Sequence, residues 1–218
     1  MMKTTFAAAI CAGLLALSAA PATASSINFH VQVNTAPLVG SASAPFALDF
    51  QLIGGNPLGN TATISNFTFG GGAATTAPTP PNYTGLAAGS LTGTVTLGDD
   101  PANFFNEFFQ GFTPGSTLGF DVLLTANVNT PTADGFSFAI LDSGLANIQT
   151  TNPDDVLLLV SIGSPNLGMG DVQTFRGAGA FSAVTVAASP IPEPASVLLV
   201  GVGLVGVAVR RRRRRITA

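Results

Sequence analysis

Few residues of this chain could carry acid–base or nucleophilic chemistry. Its 218 residues include one cysteine, one tyrosine (Tyr83), no tryptophan and a single histidine, His30. His30 alternates with the polar residues Asn28 and Gln32, which predicts a polar strand face. A general base needs partners placed around it, and the chain has no Gly-x-Ser-x-Gly elbow to supply a nucleophilic serine. We therefore expect no catalytic residue and no enzyme activity.

Acidic side chains are the other candidates for a binding site. Asp99-Asp100 and Asp154-Asp155 are acid pairs in predicted turns, and Ca²⁺ takes oxygen ligands from such loops. Their spacing matches no EF-hand, and aspartate is also an ordinary turn former. We expect turn-forming aspartates and no metal or cofactor, with Ca²⁺ binding as the alternative.

A further candidate is Asp134. The stretch Thr132-Ala133-Asp134-Gly135-Phe136-Ser137-Phe138 resembles the Ala-Asp-Gly-aromatic-x-Phe stretch of L-type lectins. That resemblance implies that the aspartate contacts sugar, although the accompanying metal-loop pattern is absent here. A carbohydrate-binding module, with or without Ca²⁺, is therefore an alternative function. A glycosidase that uses two carboxylates is a third hypothesis, and it needs a cleft with carboxyl groups about 5 to 10 Å apart.

Charge narrows the choice of partners. The whole chain has a formal net charge of −3. Between residues 25 and 190, however, ten acids face one base, Arg176, which leaves nine net negative charges. Such an acidic surface argues against nucleic acid or anionic lipid as a partner of this part. Cys11, the only cysteine, lies in the first 24 residues, so the rest of the chain can form no disulfide.

The first 24 residues resemble a secretory signal peptide. Lys3 supplies the positive charge, and residues 6–17 are apolar. Ala22-Thr23-Ala24 has the small-x-small pattern that signal peptidase recognises. We expect cleavage after Ala24 and a mature chain that begins at Ser25.

The last 28 residues combine three unlike elements in a fixed order. Pro192-Glu193-Pro194 comes first, and an uncharged apolar run of residues 195–209 follows. Six arginines follow the apolar run: Arg210, Arg211, Arg212, Arg213, Arg214 and Arg215. As a helix the apolar run spans about 22 Å, which can cross a membrane of roughly 30 Å if arginines snorkel and the bilayer thins. The arginines set the topology by staying in the cytoplasm.

This layout resembles the PEP-CTERM sorting signal. The resemblance implies an exported protein of a Gram-negative bacterium that makes extracellular polysaccharide. It also implies that a membrane transpeptidase-like enzyme, exosortase, recognises and processes the tail at Pro192-Glu193-Pro194. A plain C-terminal membrane anchor is the alternative. Residues 67–72 and 112–121 also resemble uncharacterised proteins with this signal, whose body is predicted to be all-β.

The body alternates apolar and polar residues with period two, which is typical of strands with one buried face. Phe46, Leu48, Phe50 and Leu52 are one example. A bulge is expected near Ser65-Asn66, and residues 104–109 are expected to form a bulged strand. Residues 70–89 read as a long irregular loop. We expect an antiparallel β-sandwich or jelly roll over residues 25–187, between the signal peptide (1–24) and the sorting tail (188–218).

These features together predict a non-enzymatic surface or extracellular-matrix protein associated with exopolysaccharide or biofilm. Its expected partners are signal peptidase, the inner membrane before processing, an exosortase-like enzyme and, after export, extracellular polysaccharide. The precursor should be anchored in the inner membrane, and the mature protein should reach the cell surface or the matrix.

Overall fold

The computed structural model describes residues 25–54, 59–126, 134–162 and 167–191. These residues form strands and three short 3₁₀ turns, at Ala36–Leu38, Met169–Asp171 and Gly179–Phe181. The strands are β1 (Ser25–Asn34), β2 (Phe46–Ile53), β3 (Thr61–Thr68), β4 (Ala73–Ala74), β5 (Asn82–Thr84), β6 (Leu86–Gly89), β7 (Val95–Gly98), β8 (Phe105–Thr113), β9 (Thr117–Ala126), β10 (Asp134–Leu141), β11 (Leu158–Ile162), β12 (Val172–Thr174) and β13 (Thr185–Pro190).

The strands form two antiparallel sheets. Sheet A has the order β13-β1-β9-β3-β7-β6, and sheet B has the order β12-β11-β10-β2-β8-β4, with β5 also paired to β8. The apolar face of each sheet faces the other, because period-two alternation puts every second side chain on one side. This arrangement confirms the all-β class and is consistent with the predicted β-sandwich.

Phenylalanine rings join the two sheets. Phe50 of sheet B contacts Phe120 of sheet A edge to face, with ring centroids 5.3 Å apart. Phe138 lies against both rings, at 5.1 Å from Phe50 and 5.0 Å from Phe120. All three side chains are fully buried. The body therefore has one apolar core and needs no disulfide to hold the sheets together.

The bulge predicted in β3 is confirmed. The pairing of β3 with β9 shifts register between Ser65 and Thr68. Asn66 takes a positive φ of 55° at this point. The shift allows Phe67 and Phe69 to pack against the core on which Ile64 also lies, as a bulge in one strand permits.

Two local expectations were wrong. Residues 105–112 pair with β2 in one continuous register and have no bulge. The stretch 70–89 contains β4, β5 and β6, so it is not one irregular loop. Two amides hold the segment that includes it: Leu86 N–H donates to Asn106 Oδ1 at 2.7 Å, and Leu91 N–H donates to Gln110 Oε1 at 2.9 Å.

The two ends of the body lie side by side. β1 begins at Ser25, the first residue after the predicted cleavage site. β13 runs antiparallel to β1 and ends at Pro190, so folded structure continues past the expected boundary at residue 187. The predicted signal peptide (1–24) and transmembrane helix (195–209) lie outside the described residues.

Candidate functional site

The edge of sheet A leads directly into the predicted sorting motif. β13 pairs with β1 from Asn34–Thr185 to Phe29–Pro190. Ile191 N–H then donates to the carbonyl of Asn28 at 2.9 Å. The motif residues Pro192, Glu193 and Pro194 and the arginines 210–215 lie outside the described residues, as do Ala22 and Ala24. The last described residue is therefore held by the body, one position before the motif.

A carboxyl pair lies on the outer face of sheet B. Gln51 Nε2 donates to Asp49 Oδ2 at 2.7 Å and to Glu107 Oε1 at 3.1 Å. Asp49 is only 3% exposed, and its Oδ1 has no hydrogen-bond partner. Burial, reinforced by the charge of Glu107, raises the pKa of Asp49 to about 7, although the hydrogen bond from Gln51 opposes the shift. Burial also raises the pKa of Glu107.

Asp49 is buried because a segment of the chain packs over the outer face of sheet B. Gly111 and Ala47 are opposed on the same outer face. The carbonyl oxygen of Ala77 lies over Gly111, where a Cβ would come within 2.1 Å of it. The segment that contains Ala77 thus covers this part of the outer face. Asp49 is two residues from Ala47 on that face. Because its carboxyl group is buried, it cannot contact a sugar in the folded state.

Two of the predicted ligand candidates meet at one end of the sandwich. Asp99 and Asp134 are both buried, together with Asn60. Gly59 N–H donates to Asp99 Oδ1 at 2.6 Å, and Asn60 Nδ2 donates to Asp134 Oδ2. Burial and the adjacent Asp134 carboxylate raise the pKa of Asp99, against the hydrogen bond from Gly59. Asp134 is 2% exposed, so its side chain is not presented on the surface as a sugar ligand would be.

The other acid candidates stabilise turns. Asp100 Oδ1 accepts hydrogen bonds from the N–H groups of Ala102 and Asn103, and these bonds lower the pKa of Asp100. Asp155 Oδ1 accepts from Thr150 N–H at 2.8 Å. The side chain of Asp154 is exposed. The two carboxyl groups of each acid pair, Asp99-Asp100 and Asp154-Asp155, therefore have different surroundings.

His30 has an acid partner that the sequence did not reveal. Its Nδ1 lies 2.6 Å from Asp121 Oδ1, and Asn66 Nδ2 donates to Asp121 Oδ2 at 2.7 Å. Burial opposes ionisation of Asp121, but these two hydrogen bonds and the histidine lower its pKa. The pair lies on the outer face of sheet A, as the alternation around His30 predicted. Cross-strand pairing of β1 with β9 brings these residues together, and a single strand's pattern cannot show it.

Within the described ranges, no group of three or more His, Cys, Asp or Glu side chains is arranged to hold a metal ion. The same ranges contain no helix long and apolar enough to span a bilayer.

A family model matches the C-terminal tail of the chain. Residues 190–214 match the model of the PEP-CTERM protein-sorting motif. The match begins at the last residue of β13 and includes Pro192-Glu193-Pro194, the apolar run and five of the arginines. No curated protein and no solved structure matches the chain. The tail thus carries a sorting motif that implies a secreted protein of Gram-negative bacteria processed by exosortase, a membrane enzyme.

Proposed function

We propose that this protein is a non-enzymatic component of the bacterial cell surface or extracellular matrix, associated with exopolysaccharide or biofilm. The observation that carries the proposal is the sorting motif at residues 190–214, joined directly to an all-β body. The nine net negative charges of the body also support it, because they keep an exported domain soluble.

The route to the surface has two stages. Signal peptidase cuts after Ala24, and the apolar residues 195–209 hold the precursor in the inner membrane with the arginines inside. Exosortase then processes the chain at Pro192-Glu193-Pro194. Glu193 is the recognition residue of this site, and its flanking prolines keep the site extended and accessible.

Fractionation of the native host tests this route. Glu193→Ala should accumulate in the inner membrane, whereas the wild-type protein should be found outside the cell. Glu107→Ala is a matched control, because Glu107 is the only other glutamate of the chain. The control should be sorted like the wild type. Wild-type protein and Glu193→Ala in the same fraction would contradict the proposal.

Glycan binding is the second candidate function. The outer face of β8 presents the half-buried rings of Phe105 and Phe109 on either side of Glu107. Aromatic rings can pack against the apolar C–H face of a sugar while a neighbouring carboxylate accepts hydrogen bonds from its hydroxyl groups. A glycan array with and without EDTA would test this role and its dependence on Ca²⁺. Binding that is lost in Phe105→Ala would support the role, and no binding in either condition would exclude it.

A hydrolase that uses carboxylates is not proposed. The side-chain amide of Gln51 donates hydrogen bonds to both Asp49 and Glu107, and Asp49 is buried beneath the segment that covers the outer face of sheet B. A glycosidase needs both carboxyl groups open to the substrate, one to protonate the leaving group and one to attack or activate water. The carboxyl pair is better explained as a structural contact of sheet B.

A further inference from the structure

β13 holds the residues that lead into the sorting motif. It pairs with β1 along six residue pairs, and the hydrogen bond from Ile191 N–H to the Asn28 carbonyl adds a seventh contact. The motif match begins at residue 190. The first two residues of the matched region are therefore part of the folded edge of sheet A.

This docking leaves little room for an enzyme. Only Pro192 separates Ile191 from Glu193, and two residues of chain span at most about 7 Å. A body of this size has a radius of gyration of roughly 15 Å. An enzyme that cuts a chain has to enclose residues on both sides of the cut bond. With β13 docked, the residues before the motif have one backbone edge covered by β1.

β13 can also leave its sheet at low cost. It lies at the edge of sheet A and has β1 as its neighbour in that sheet. Its sequence is Thr-Val-Ala-Ala-Ser-Pro, and of these side chains only Val186 and Ala188 pack against the core, where both are partly buried. Loss of this strand removes little apolar contact, so local opening should need far less free energy than global unfolding.

We propose that β13 detaches from β1 during processing, and that exosortase binds residues 187–191 as an extended strand. This proposal rests on the proposed function. Main-chain hydrogen bonds from the enzyme replace those from β1, which is the mode of strand addition. The pairing of β13 then sets how fast the precursor is processed, since only the opened form offers the motif with free residues before it.

A reversible disulfide between the two strands tests the proposal. Gln32 and Ala187 are directly opposed and both exposed. Opposed residues of antiparallel strands have Cα atoms about 4.5 to 5.5 Å apart, within the range of a disulfide. The double variant Gln32→Cys/Ala187→Cys should lock β13 onto β1. Ala88→Cys/Thr96→Cys is the matched control, because it joins β6 to β7 through opposed, exposed residues.

Processing is followed by intact mass in host membranes, in oxidising buffer and with dithiothreitol. The locked variant should be processed slower than wild type by roughly tenfold or more, because only the open fraction is cleaved. Dithiothreitol should restore the rate, and the control lock should have no effect. Processing of the oxidised lock at the wild-type rate would overturn the proposal. No processing of wild type and control alike would overturn the proposed function itself.

A second variant excludes misfolding of the lock. A second copy of residues 187–191 is inserted before Pro192 in the locked protein, so that the motif again follows five free residues. The insertion should restore processing while the disulfide stays intact. A locked protein that remains unprocessed with this insertion, while the control lock is processed normally, would refute the role of strand release.

Discussion

At the scale of single residues, Asp49 should make the stability of the body depend on pH. Its pKa of about 7 lies above the ordinary value of 3.8. The folded state therefore favours the protonated acid, and this contribution is complete below about pH 4 and is lost as pH rises through about 7. A shift of this size corresponds to roughly 4 kcal/mol as an upper bound. The wild-type free energy of unfolding should thus fall between these values.

Asp49→Asn removes this dependence, because an amide does not ionise. Urea unfolding of the mature protein at about pH 5 and about pH 8 should show a smaller difference in the variant than in the wild type. Asp154→Asn, at an exposed position, serves as the control and should keep the wild-type dependence. Equal pH dependence in Asp49→Asn and wild type would mean that other groups set it.

Asp99 gives a second prediction at this scale. It is buried beside Asp134, and burial together with the neighbouring carboxylate raises the pKa of Asp99. Asp99→Asn keeps an oxygen for the Gly59 N–H and removes one negative charge, so the Tm at neutral pH in EDTA should rise. If Ca²⁺ instead raises the Tm of the wild type above that of the variant, the pair binds a cation and the expectation of no metal is wrong.

At the scale of elements, the cover over sheet B depends on a glycine. In Gly111→Ala the new Cβ would lie 2.1 Å from the Ala77 carbonyl oxygen, so the backbone has to shift. We expect a loss of roughly 1 to 3 kcal/mol, which is typical of overpacking. Displacing the segment that contains Ala77 should also expose the Asp49 carboxyl group to water and lower its pKa. Gly93→Ala is the control, since nothing lies within 4 Å of its added Cβ. An unchanged urea midpoint in Gly111→Ala would contradict this account.

The strands with a steady alternation could be predicted from the sequence, because burial of one sheet face imposes period two. The same alternation assigns Asp49 to the opposite face from Leu48 and Phe50. Its burial could not be predicted, because the covering segment near Ala77 belongs to a stretch without alternation. The short strands β4 to β6 were missed for the same reason. They are held by contacts with residues distant in sequence, such as the hydrogen bond that Leu86 N–H of β6 donates to Asn106 Oδ1.

At the scale of the whole molecule, the two ends of the body that lead to the predicted processing sites lie at one end of the sandwich. β1 begins at Ser25, and Ile191 bonds to Asn28, which is three residues or about 10 Å along the same strand. The sequence predicted both processing sites from local motifs. Their proximity could not be predicted, because it depends on the pairing of the first strand with the last.

The central claim is that the sorting tail is removed when the protein is exported. The intact mass of the protein recovered outside the native host tests it most directly. We predict a chain that begins at Ser25 and ends near Pro192-Glu193-Pro194, without the apolar run and the six arginines. Recovery of a chain that keeps the full tail through Arg215, held in the membrane, would contradict the claim. The body would then be a tethered module rather than a released one.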